Sequence, residues 1–549
     1  MRGEGWTRFG LLLAALLLVA GLAAPLAMLL ARAFQDVDGH FAGLMHFRAW
    51  LGSAQLLRPA WNSLWTSALT TLVVLPVAFL FAYGMTRSRL PGRPFFRAVM
   101  LVPILAPSLL PALSLIYLFG NQGLLRWMLP EGGSIYGPAG IIAAQCIYTF
   151  PHAAIILSVA LGMADARLFE AAETLKAGRW RIFRDVTLPA ARYGLVSAGF
   201  VVFTLAVTDF GIPKVIGGQF PVLATDVYRQ VIGQQNFSMG AVVAIVLLLP
   251  ALLGFFAERW AQKRQAAAIS GRAVLYRPKP RAARDLPLLA LCLGVAAVLL
   301  GIVGMAVWGS LIRFWPYNLA LTFANYDFTS FDASGWGSLF TSMEVALLAA
   351  VFGTPVIFSI AYLLERGGPA GPLTGFVRVA AIAPLAVPGL VLGLAYILFF
   401  NLPGNPLGFL YGTAAILVLN CVIHFYTVAH LTAVTAIRQL DPEFEAVGES
   451  LRVPRWRTYV RVIVPIGLPA ILEIAVYLFV NAMTTVSAVI FLYGPDTKPA
   501  SVAVVHMDEA GQVASAAAMA CVILAVTAAA KLLQLAFARL LSGGWRPPA

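Results

Sequence analysis

The chain has 549 residues, of which 60% are hydrophobic and only 11% charged, and it carries a formal net charge of +14. A water-exposed surface needs far more Lys, Arg, Asp and Glu than this, which excludes an ordinary soluble domain. Four cysteines, Cys146, Cys292, Cys421 and Cys521, lie far apart inside apolar runs and indicate neither a disulfide framework nor a metal cluster.

Taken in chain order, apolar runs near 10–33, 61–85, 95–119, 136–163, 193–216, 240–262, 286–310, 338–364, 374–400, 410–436, 466–492 and 513–541 each reach about 20 residues, enough to cross a bilayer. The spacing therefore predicts an all-α polytopic membrane protein with about 12 transmembrane helices. The first run has no convincing small-residue cleavage site and is followed by many more, so it reads as an uncleaved first helix rather than a secretory signal. Arg87, Arg89, Arg93 and Arg97 crowd one connection, and Arg259, Lys263, Arg264, Arg272, Arg277, Lys279, Arg281 and Arg284 crowd the centre. Connections on the other side carry Asp36, Asp38, Glu131, Asp327 and Asp332. This asymmetry predicts both termini on the cytoplasmic side. It assigns the positive charge to the membrane surface, so nucleic acid is not an expected partner.

The chain is written twice. EAAETLKAGRWRIFRDVTLP at 170–189 is matched at a constant offset of 276 by AVGESLRVPRWRTYVRVIVP at 446–465, and PSLLP at 107–111 is answered by PLAVP at 384–388. The expected organisation is a first half over 1–269 with a loop at 165–192, a basic linker at 270–285, and a second half over 286–549 with a loop at 437–465. Two six-span halves enter the membrane in the same orientation, as parallel repeats about an axis along the membrane normal, with a shared pathway between them.

Each twin loop reads as helix, break, helix. In the first copy Asp165 is a plausible N-cap, and Phe169, Ala172 and Leu175 are spaced to share one face. Gly178 is expected to stop this helix. In the second copy Asp441-Pro442 opens the helix and Pro454 replaces Gly178 as the stop. An identical Arg-Trp-Arg follows at 179–181 and 455–457, and the run ends at Pro189 or Pro465. Headgroup anchoring explains the tryptophans and arginines but not a repeated helix–break–helix, whose short helices are marginal alone in water. A docking element for a partner is the better reading.

These loops resemble the EAA loops of binding-protein-dependent ABC transporter permeases. Glu170, Ala171 and Ala172 match the triplet, and Val186, Leu188 and Pro189 match the ending. Lys176 stands where the family has glycine. In the second copy the triplet is Ala446-Val447-Gly448, Arg452 takes the glycine position, the ending is Ile463, Val464 and Pro465, and Glu445 is shifted by one from the family glutamate. The resemblance implies the type I ABC importer permease fold and a bacterial inner-membrane location. Its partners would be two copies of a cytoplasmic ABC ATPase subunit and an extracytoplasmic substrate-binding protein. It implies ATPase coupling at Glu170, Ala171, Ala172, Lys176, Gly178, Pro189, Glu445, Ala446, Gly448, Arg452, Pro454 and Pro465. No GxxxxGK[ST] loop occurs, so ATP and Mg belong to the partner, and no cofactor, catalytic residue or metal ligand is expected in this chain.

Polar residues late in the fifth span of each half are candidates for the pathway: Thr208 and Asp209 in the first, Asn481, Thr484 and Thr485 in the second, with Thr485 at the repeat position of Asp209. A carboxylate in hydrocarbon is costly, so Asp209 should face the pathway, or an internal tie such as Lys214. The stretches at 101–125, 147–157 and 203–240 are similar to fused 2-aminoethylphosphonate ABC permeases, which implies that compound or a related organophosphonate as the small-molecule cargo. Related fused permeases carry ferric iron or thiamine. An ion-coupled secondary transporter would also explain the spans and repeat, but it calls for broken helices with convergent cation ligands and leaves the twin loops without a role.

Overall fold

Backbone amides and carbonyls have no water to bond in hydrocarbon, so long apolar runs must satisfy them internally as helices. The computed structural model describes residues 4–36, 38–163, 165–268, 278, 280–367 and 371–543. Among the described residues, eight helices are each long and apolar enough to span: Gly5–Ala33, Ala54–Arg87, Pro138–Gly162, Arg179–Thr208, Phe237–Arg264, Ala282–Leu311, Gly337–Arg366 and Val513–Leu540. Four bent helix pairs bring the number up to twelve if each pair is one span. One antiparallel strand pair, Ile312–Phe314 with Asn318–Leu321, caps the connection after the seventh span.

Four of the expected spans are bent pairs rather than single continuous helices. In the third span of each half, Arg93–Leu105 meets Leu109–Phe119 at 99°, and Pro372–Ala386 meets Gly389–Phe400 at 114°. The proline pairs are the cause: Pro107 and Pro388 sit at the breaks, where a missing N–H and ring sterics end the preceding helix. Broken helices are thus present; of the residues at these two breaks, Ala106, Pro107, Val387 and Pro388 carry no side-chain oxygen and Ser108 does. The tenth span kinks by 55° between His424 and Tyr426. The fifth and eleventh spans end at Thr208 and Thr484 rather than at 216 and 492; Gly211–Ile216 is a separate short helix.

Packing does not follow the division at 1–269 and 286–549. The first span of each half packs into the other half. Tyr396 Oη donates to the carbonyl of Gly21 at 2.7 Å, and a Cβ at Gly21 would lie 2.8 Å from Ile423, so only glycine admits this close approach. Reciprocally, Leu288, Cys292, Ala296 and Leu299 of the seventh span join one buried cluster with Val74, Phe81, Phe150 and Val202 of the first half. Ser114 Oγ donates to Ile302 O at 2.8 Å across the same boundary. Of the linker 270–285, residues 270–277 and 279 lie outside the described residues.

Candidate functional site

Both twin loops fold as expected in outline and differ in how they stop. The first helix covers Ala166–Thr174, with Asp165 Oδ1 accepting the Arg167 amide at 3.1 Å; the second covers Glu443–Ser450, with Asp441 Oδ1 accepting the Glu443 amide at 3.0 Å. Pro442 is the N-cap, one residue before the first helical position expected for it. The stop is not at Gly178 or Pro454. Lys176 and Arg452 take φ of 53° and 54°, and the Ala177 and Val453 amides donate back to the carbonyls of Ala172 and Gly448 at 2.9 and 2.8 Å. That is a left-handed C-terminal motif in which glycine is usual. The two positions where the resemblance expects glycine therefore keep its backbone conformation with a long basic side chain. Gly178 and Pro454, both extended, instead precede the next helix, which begins at Arg179 or Arg455.

Pro189 and Pro465 are also not terminators. A π-turn at Phe183–Thr187 and another at Tyr459–Ile463 precede them, and Arg179–Thr208 runs through Pro189 as one span. A π-turn shifts bonding to i→i+5 and so accommodates a residue that lacks an N–H. In the second copy the bend of 76° falls at Gly467, just after Pro465.

Phe169 and Leu175 do not share a face: Phe169 is buried, while Leu175 is 81% exposed. Phe169 points into the protein, where the Arg87 guanidinium lies 4.5 Å from its ring centroid and donates to Leu161 O at 2.5 Å. The repeat reproduces this anchor with another residue in the seat. Arg366 donates to Ile437 O and Leu440 O at 3.0 and 2.6 Å and lies 3.9 Å from the Glu445 carboxylate, which occupies the position of Phe169. Ile437 is the repeat mate of Leu161. Both Glu445 oxygens are buried and accept no hydrogen bond. The outward faces match more closely: Leu168, Leu175 and Trp180 in one copy, Phe444, Val447, Leu451 and Trp456 in the other, all exposed. Glu170, Ala171 and Ala446 also lie on the loop surfaces or edges, whereas Gly448 is buried against Thr458. Each loop thus presents an exposed apolar patch at matching positions of the repeat.

Asp209 and Thr485 adopt the same extended backbone at the ends of their spans, φ −68° and −69°. Asp209 lies beside the amides of Gly211 and Ile212 and the side chains of Gln145 and Ser108, and its Oδ2 is buried without a hydrogen-bond partner. Gln145 and Ser108 are neighbours that the spacing of the sequence did not disclose, because they come from other spans. Thr208, Thr484 and Asn481 spend their donors on carbonyls of their own helices, Thr204, Val480 and Tyr477. The tie from Asp209 to Lys214 is not formed. Lys214 instead pairs with Glu509 of the second half and lies 4.5 Å over the Tyr228 ring, which stacks on Phe491. The halves are thus clamped at the end away from the twin loops. Among the described residues, Asp36, Asp38 and His40 are the one group of His, Cys, Asp or Glu close enough to share a metal ion, and they lie in a surface connection.

The family described as "Binding-protein-dependent transport system inner membrane component" matches this chain twice, over residues 56–267 and 360–543. The chain is 28% identical over 495 residues to the ferric transport system permease protein FbpB of Actinobacillus pleuropneumoniae, covering 87% of this chain and 70% of that protein. It is 26% identical over 216 residues to the molybdenum transport system permease protein ModB of Escherichia coli strain K12, 37% of this chain and 94% of that one. It is also 28% identical over 204 residues to the spermidine/putrescine transport system permease protein PotB of Haemophilus influenzae, 36% and 71% respectively. The two family matches leave out the spans Gly5–Ala33 and Ala282–Leu311 that pack into the opposite half.

Proposed function

This chain belongs to the family of binding-protein-dependent transport system inner membrane components, and on that premise we propose that it forms the whole transmembrane pathway of an ATP-driven importer. Membership makes it a multi-pass membrane permease that works with an ATPase and a substrate-binding protein, and its relatives are transport permeases rather than enzymes. The ion-coupled alternative gives way to this membership. The finer reading is that each twin loop seats one copy of an ATPase subunit, that the twin-loop end and both termini are cytoplasmic, and that the binding protein docks at the far end. ATP and Mg are handled by the partner.

The observation that carries this reading is the pair of matched apolar patches, each held by an arginine from the end of the second span of its half. Closure of an ATPase dimer would draw the patches together. Because Arg87 and Arg366 join each short helix to the ends of two spans, the motion passes directly into the membrane bundle. The Lys214–Glu509 clamp keeps the far end shut while the ATPase is apart, and its opening admits cargo from the binding protein. This is alternating access, with Asp209 as the polar side chain in the pathway. The experiment that tests it is reconstitution with the cognate ATPase and binding protein, measuring ATP hydrolysis and uptake together. Hydrolysis unresponsive to severe changes in both loops would overturn it.

For the cargo we take 2-aminoethylphosphonate or a related organophosphonate, supported by the likeness of residues 101–125, 147–157 and 203–240 to the fused permeases for that compound. The second reading is ferric iron, favoured by the match along 87% of the chain to a ferric permease. Thiamine is the remaining alternative. Equilibrium competition on the purified cognate binding protein with 2-aminoethylphosphonate, ferric iron, thiamine and phosphate decides among them.

A further inference from the structure

At the end of the bundle away from the twin loops, the two halves face each other with unequal charge. The first half brings one cation, Lys214 on the short helix Gly211–Ile216, and the second brings Asp508 and Glu509 at the end of the helix Ala500–Glu509. Both helices lie outside the candidate spans. Lys214 pairs with Glu509, and neither partner is sealed in: their side chains are 21% and 42% exposed. Asp508 is partly exposed beside them and close enough to Tyr136 of the first half to interact with it. Burial and then the Glu509 charge push the Asp508 carboxyl up to about 7, with Lys214 pulling the other way. Lys498 does not offset the excess, because its Nζ is 2.6 Å from Asp332 of its own half. His506, 3.2 Å from Tyr493 Oη, has its pKa lowered by burial first and then by Lys498, which keeps it neutral at pH 7. One cation thus meets two carboxylates across the boundary between the halves.

Cargo entry requires this pair to part. Each separated charge then needs a new counter-charge, since a partly buried ion left alone has lost its partner and part of its hydration. Water supplies this poorly at a boundary lined by Tyr228, over whose ring Lys214 lies at 4.5 Å, and by Phe491, stacked on Tyr228 at 6.1 Å. A molecule with an anion and an ammonium on one short tether supplies it to both sides at once. Phosphonate oxygens accept from Lys214 Nζ, and ammonium hydrogens go to Glu509 and Asp508. The second carboxylate has a use here, because a primary ammonium has three hydrogens to donate. A cation alone, such as ferric iron, satisfies the carboxylates and is repelled by Lys214; an anion alone does the reverse.

We propose that Lys214, Asp508 and Glu509 form an entry site for a small zwitterion carrying a primary ammonium and a phosphonate or phosphate, which opens the clamp by taking the place of its ion pair. The site rests on the reading of the chain as an importer of such a cargo, and it adds the residues that select the cargo at the outer mouth. The same charges then serve twice: closed on each other they hold the halves together, and parted they hold the cargo.

The test uses the full chain with its cognate ATPase in nanodiscs, without binding protein, and reads ATP hydrolysis as a solute is added. Millimolar 2-aminoethylphosphonate should raise the resting rate, whereas ethylphosphonate, ethylamine and potassium chloride at the same concentration should not. Asp508→Asn should raise the half-maximal concentration of 2-aminoethylphosphonate about ten-fold, the loss expected for one hydrogen bond between charged groups. Asp496→Asn, exposed in the same connection, should leave that concentration where it is. Should Asp508→Asn not yield an intact complex, Glu509→Gln decides, because that side chain is exposed: it should abolish the advantage of 2-aminoethylphosphonate over ethylphosphonate. Equal stimulation by potassium chloride would mean that salt merely screens the pair, and would overturn the site. A response to 2-aminoethylphosphonate that neither carboxylate variant shifts overturns it too. Hydrolysis stimulated by cargo-loaded binding protein but not by free 2-aminoethylphosphonate also overturns the site and leaves the importer reading standing. Silence toward both would remove that reading and the site with it.

Discussion

Lys176 and Arg452 hold left-handed backbone that costs a residue with a Cβ about 1 kcal/mol or more relative to glycine. Lys176→Gly and Arg452→Gly should therefore stabilise the loop ends locally by about 1 kcal/mol, seen as slower hydrogen exchange of the Ala177 and Val453 amides. Faster exchange would mean that the basic side chains hold the turn through contacts that outweigh the backbone term. The seat of the anchor offers a second test. Both Glu445 oxygens are buried with neither hydrogen-bonded and only a long approach to Arg366, whereas the Arg87 guanidinium lies over the Phe169 ring. Arg87→Ala and Arg366→Ala should each cost about 2 kcal/mol through lost carbonyl bonds and contact. Glu445→Phe, which copies the first half, should be tolerated while Phe169→Glu is not, as read by yield of monodisperse protein.

Each twin helix is too short to be stable alone, so its position is set by what it packs on rather than by its own propensity. Its inward face is tied to the ends of two spans and its outward face is left apolar. Leu175→Asp together with Leu451→Asp should leave insertion intact, because both side chains are exposed, and should abolish ATPase-driven uptake in reconstituted vesicles. Either substitution alone should give a partial loss, of unequal size, since the two anchors differ chemically. The helix–break–helix layout, the Asp caps and the two-copy offset were legible in the sequence. The break residues were not, because Gly178 and Pro454 are the usual stop signals and lie two positions past the residues that turn the chain. Likewise Pro189 looks like an end by composition, but a π-turn carries the helix through it.

Across the whole molecule the halves are held by exchanged first spans, by Thr527 Oγ1 donating to Leu105 O at 2.6 Å, and by the Lys214–Glu509 clamp. The exchange predicts that residues 1–269 expressed alone lack part of their core, the face filled by Leu288, Cys292, Ala296 and Leu299, and are degraded. Co-expression with residues 270–549 should restore both pieces as one complex, measured by co-purification. The clamp predicts that Lys214→Glu and Glu509→Lys each disturb resting ATP hydrolysis and that the double exchange restores it; additive effects would show that the pair does not couple the halves. Asp209→Asn keeps the shape of the buried carboxylate and removes its charge. Unaltered uptake, unaltered binding-protein-stimulated hydrolysis and unaltered stability would remove Asp209 from the pathway.

The sequence by itself determined the membrane class, the helical spans and the repeat, because these rest on local quantities: the length of apolar runs, the spacing of caps and prolines, and a constant offset between copies. Tertiary structure alone decided which spans exchange between halves, which arginine holds which loop, and that Lys214 reaches Glu509 rather than Asp209. Those contacts join residues hundreds of positions apart, and a uniformly apolar helix carries no mark of the neighbour it will choose. In lipid the apolar face has no preferred partner by hydrophobicity, so close approach at glycines such as Gly21 and a few buried polar bonds make the choice.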